Sequence, residues 1–68
     1  MIPKEYKDGV RHKCVATKTI KFKNGLNFFE GYTYGCRFNY GCTVSYEDGR
    51  FQGMSEKVFN DHFEVIKK

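Results

Sequence analysis

The chain has no tryptophan, a single leucine and a single proline. No apolar run approaches the roughly 18 residues that a membrane-spanning helix needs. No apolar segment of signal-peptide type follows Met1, and neither end carries a lipidation signal. A soluble, cytoplasmic chain that keeps clear of membranes is expected. Three cysteines, Cys14, Cys36 and Cys42, make an odd count that suits a reducing compartment better than a secreted disulfide scaffold, so reduced thiols are expected. Catalytic pairings are scarce too: His12 and His62 are the only histidines, no glycine-rich phosphate loop occurs, and no two carboxylates are spaced to converge. His12 and Cys14 are ordinary same-face neighbours on a strand, and no enzyme and no cofactor are expected. At 68 residues the chain forms one domain, which buries only roughly 60% of its unfolded surface and leaves little room for a deep cleft.

What is present is aromatic volume: seven Phe and five Tyr, each ring burying on the order of 150–250 Å². Rings and β-branched residues favour pleated surfaces, and seven glycines punctuate them into short strands. Residues 1–9 are polar and predict a flexible lead-in, mobile or loosely docked, with the domain proper over residues 10–68. From Val10 the even positions are mostly apolar through Phe22 and the odd ones mostly basic, the period-two signature of a half-buried strand. Fourteen residues are too long for one straight strand here, so a bend is expected at residues 17–19. Asn24-Gly25 predicts a two-residue type I′ hairpin turn.

Residues 32–53 read as a three-stranded meander with turns at Asn39-Tyr40-Gly41 and Glu47-Asp48-Gly49. Ser55 is an N-cap, with Met54 and Phe59 at the spacing of a hydrophobic staple, so one helical turn is expected over residues 56–62. Phe63 and Val65 then alternate with Glu64 in a closing strand. The fold class is all-β, in the strand order of a five-stranded SH3-like barrel with a short helical turn before the last strand.

Lys13-Cys14-Val15, Phe22 with Gly25, Phe29-Glu30-Gly31-Tyr32 with Tyr34, Asp48-Gly49-Arg50-Phe51, and Met54-Ser55-Glu56 with Phe59 and Phe63-Glu64 resemble small SH3-like proteins encoded by tailed phages and prophages. The resemblance covers most of residues 13–64. It implies the fold, a viral or mobile-element origin, a bacterial host cytoplasm and docking on a host enzyme or on nucleic acid; none of the matching residues is catalytic.

Two surfaces compete for a binding role. An aromatic end made of Phe28, Tyr32, Tyr34, Arg37 and Tyr40 fits a protein partner, since Tyr and Arg are enriched at interface hot spots. Strand alternation cannot bury both Phe28 and Phe29, so one of the two is expected at the surface. Alternatively a basic stripe of Arg11, Lys13, Lys21 and Lys23 tracks a phosphate backbone of RNA or DNA. The charge favours that placement, because residues 1–23 hold seven Lys/Arg against Glu5 and Asp8. His12, Cys14, Cys36 and Cys42 do not have the spacing of a zinc knuckle, and no metal site is expected. A Cys36–Cys42 disulfide needs a hairpin register centred on Asn39, and a reducing compartment argues against it.

Overall fold

The alternation of residues 10–23 is realised in two pieces. In the computed structural model of the chain, which describes residues 2, 4–23, 25–38 and 41–66, strand β1 (His12–Ala16) buries Cys14 and Ala16 and exposes Lys13. The chain bends at residues 17 and 18 and resumes as β2 (Ile20–Lys21), so the strand breaks where its length required it to. Strand β3 (Asn27–Phe28) pairs with β2, Ile20 standing opposite Phe28.

Asn24 of the expected Asn24-Gly25 turn lies outside the described residues. On either side of it Phe22 N donates to Leu26 O at 2.9 Å and Gly25 N to Phe22 O at 3.1 Å. Gly25 has φ of +93°, a left-handed position that favours glycine. The Glu47-Asp48-Gly49 loop repeats the pattern: Tyr46 N reaches Arg50 O at 2.8 Å and Gly49 has φ of +97°.

The expected meander forms from β4 (Thr33–Arg37), β5 (Cys42–Ser45) and β6 (Phe51–Met54). Helix α1 (Glu56–His62) starts where the cap predicted, the Ser55 hydroxyl accepting from Val58 N at 3.2 Å. Strand β7 (Phe63–Val65) then runs antiparallel to β1. The result is a five-stranded antiparallel sheet in the order β6-β5-β4-β1-β7, with β2 and β3 as a separate ribbon. Closure into a barrel is not seen: among the described residues β6 and β7 remain unpaired edges.

Rings fill the space between sheet, ribbon and helix. Phe28 is fully buried, with centroids 4.9 Å from Tyr34, 5.3 Å from Tyr46, 5.6 Å from Phe63 and 6.0 Å from Phe22. Phe63 stacks on Phe59 at 5.3 Å, and Phe59 meets Phe38 edge-on at 5.1 Å. This continuous run of rings ties the ribbon to the helix, each edge-to-face pair adding about 0.5–1.5 kcal/mol beyond burial.

Described residues of the lead-in touch the core. Ile2 lies in the same core at 3% exposure, and a 3-10 turn (Lys4–Tyr6) sets the Tyr6 ring edge-on to His12 at 4.9 Å. Burying one isoleucine contributes about 1.5–3 kcal/mol towards holding this segment on the core.

Candidate functional site

The ribbon's free edge is closed by side chains instead of by another strand. In the β2–β3 register the backbone groups of Asn27 and Phe29 face away from β2. The Tyr46 hydroxyl accepts from Asn27 N at 2.9 Å and donates to Asn27 O, and the Tyr34 hydroxyl accepts from Phe29 N at 2.9 Å. Two tyrosines of the sheet thus satisfy an edge that would otherwise pair with another chain.

Further bonds fix the turn that follows, Ala16 N donating to Tyr32 O at 3.0 Å. Glu30 N donates to Thr19 Oγ1 at 3.0 Å, Gly31 N to Ala16 O at 2.8 Å and Tyr32 N to Phe29 O at 3.2 Å. Gly31 has φ of +89°, a conformation the turn obtains cheaply only from glycine. On this fixed turn Phe29 and Tyr32 stand 45% and 65% exposed, their rings edge-on at 6.4 Å.

The aromatic end expected from the sequence is therefore not one surface. Phe28 is corrected from surface to core: its alternation partner on the ribbon is the buried Leu26, and both point at the sheet. Tyr34 is half-buried and its hydroxyl is committed to Phe29 N. Tyr32 and Arg37 lie at opposite ends of β4, about 16 Å apart along an extended chain, and Tyr40 lies outside the described residues. Of the Phe28–Phe29 pair, one was expected outside; it is Phe29.

The basic stripe is divided as well. Arg11 and Lys13 stand with the outer face of the sheet, whereas Lys21 and Lys23 belong to the ribbon segment that packs against the inner face, because the bend at residues 17 and 18 separates them.

No protein family, curated protein or solved structure matches the chain. Its surfaces have to be read from their own chemistry.

The outer face is the second candidate. Lys13, Gly35, Ser45 and Phe51 are successive register partners across β1, β4, β5 and β6. Gly35 has no side chain, and the Arg11 guanidinium lies flat on it: a Cβ there would stand 2.6 Å from Nη2 and 2.7 Å from Cζ. Shallow depressions flank Arg11, one of about 350 Å³ reaching Lys13, Thr33 and Glu47, the other of about 340 Å³ reaching Arg37, Thr43, Ser45 and Phe51. Phe51 is 65% exposed and was missed as a surface ring, although its register opposite Ser45, one step from the inward Val44, announces its direction.

The thiols and imidazoles lie in defined surroundings. Cys14, Cys36 and Cys42 are free thiols, all buried on the inner face, and Cys36 stands opposite Val44 rather than Cys42. A hydrogen bond with Cys36, reinforced by burial, raises the Cys14 thiol, while that same bond and the Arg11 charge lower Cys36. Burial pushes the Cys42 thiol up to about 11. His12 Nε2 lies 3.1 Å from Asp8, whose carboxyl is held below its ordinary value by Val10 N–H and then by His12. His62 Nδ1 lies 2.9 Å from Val58 O. Among the described residues no three His, Cys, Asp or Glu side chains converge as metal ligands.

Proposed function

We propose that the chain is a non-enzymatic binding domain of SH3-like strand order, a phage-type accessory protein that docks a host or viral protein through Phe29 and Tyr32. The carrying observation is the exposed ring pair on a turn held by five hydrogen bonds. Rings presented in a fixed conformation lose little freedom on binding, and tyrosine is among the residues that dominate interface energies. The order β6-β5-β4-β1-β7, with a helical turn before the last strand and a long ribbon after the first, supports the SH3-like reading.

The test is affinity capture from bacterial lysate with the wild type and a folded Phe29→Ala/Tyr32→Ala variant, the captured protein then being purified and rebound. One defined partner should bind the wild type and weaken at least tenfold with the variant, a loss of about 1.4 kcal/mol or more. Equal binding by both proteins contradicts the proposal.

A further inference from the structure

We infer that the outer face of the sheet is a second site, which binds single-stranded RNA by stacking a base on Phe51 and setting phosphates on Arg11, Lys13 and Arg37. The row from Lys13 through Gly35 and Ser45 to Phe51 crosses four strands and spans about 14 Å at the usual strand spacing. Its floor is Ser45 and Gly35, and because Gly35 lies under the Arg11 guanidinium, a phosphate that settles there meets that cation. Phe51 is the one exposed phenylalanine besides Phe29 among the described residues, and it lacks the ring contacts that hold Phe28, Phe59 and Phe63. An unstacked ring beside cations is the platform on which single-stranded nucleic acids stack.

The cations are arranged to receive an anion. His12 stands opposite Cys36, so one further step of the register sets Arg11 opposite Arg37, and both line the 340 Å³ depression. Like charges directly opposite on a sheet are destabilising unless something neutralises them. Among the described residues none of Arg11, Lys13 and Arg37 has a carboxylate at ion-pair distance; Asp8, Asp48 and Glu56 pair with His12, Arg50 and Lys7, and Glu47 is the one acid that lines the 350 Å³ depression with Arg11 and Lys13. A duplex keeps its bases stacked away from Phe51, and an acidic peptide offers it no base. The hydroxyls of Thr33, Thr43 and Ser45 on this face both donate and accept, which matches the 2′-hydroxyl that distinguishes RNA from DNA.

Fluorescence anisotropy with a labelled oligouridylate of about ten nucleotides, within the site size of small single-strand-binding folds, tests this. Affinity should fall with salt at a log–log slope of about −2, as expected for three phosphate contacts to a single strand. Phe51→Ala should weaken binding about tenfold without changing that slope, and Arg37→Gln should make the slope shallower by about 0.7. Gly35→Ala, which keeps every charge but lifts Arg11 off the sheet, should weaken binding, while Lys21→Gln/Lys23→Gln should have the smallest effect. Circular dichroism checks that each variant is folded. No binding at low salt, equal loss with the Lys21/Lys23 variant, or full competition by polyglutamate overturns the site. Equal affinity for oligothymidylate overturns the assignment to RNA.

Discussion

Phe28 and Phe29 are adjacent in the chain and opposite in fate. Phe28 is enclosed by four rings, whereas Phe29 stands on a turn with Tyr32 and meets solvent. In a chain whose apolar volume is mostly aromatic, ring content alone does not separate core from binding surface. Strand parity and the hydrogen bonds of the backbone do, and the two groups of rings should respond differently to the same substitution.

The largest difference is expected at Phe28. Phe28→Ala opens a cavity at the centre of the ring cluster and should cost about 3–5 kcal/mol in urea denaturation, so most of the chain would unfold at 37 °C. A loss under about 1 kcal/mol would mean that Phe28 is not the hub of the core. Tyr46→Phe comes next: it keeps the ring but strips both hydrogen bonds from Asn27, and should cost about 1–3 kcal/mol. Tyr34→Phe removes a single bond and should cost about 1 kcal/mol, with faster amide exchange at Phe29 as its distinguishing mark.

Titration of Cys42 gives a smaller, pH-dependent effect. Its thiol is raised from an ordinary 9.0 to about 11, so in that interval the folded chain binds more protons than the unfolded chain. The corresponding stability is complete below about pH 9 and is lost as pH rises towards 11. Thermal melts between those values should fall more steeply for the wild type than for Cys42→Ala; parallel curves would remove Cys42 from the explanation. The smallest stability change belongs to Phe29→Ala/Tyr32→Ala, within about 0.5 kcal/mol of wild type, because both side chains are largely solvated.

Much of the fold was legible because several local signals agreed. Alternation placed β1 and the meander, Ser55 placed α1, and the length of the first alternating run forced a bend. Barrel closure was not legible, since whether β6 and β7 meet depends on sheet curvature rather than on residue pattern. The docking of Ile2 was hidden because one apolar residue in a polar segment gives no periodicity.

The surfaces were legible in kind but not in membership. Alternation required that one of Phe28 and Phe29 be outside, and the parity of Leu26 with Phe28 carried the missing choice. Phe51 escaped notice because its strand is short and glycine-containing, so its direction is visible only through the register with β5. Arg11 and Lys13 parted from Lys21 and Lys23 at a bend that the sequence located without saying where the second arm would pack.

The most direct measurement is quantitative capture from bacterial lysate by equal amounts of folded wild type and Phe29→Ala/Tyr32→Ala, with the wild-type partner rebound in purified form. A defined protein held by the wild type and lost by the variant, at unchanged stability, is the expected result. The same proteins retained equally by both would contradict the assignment of this ring pair to docking.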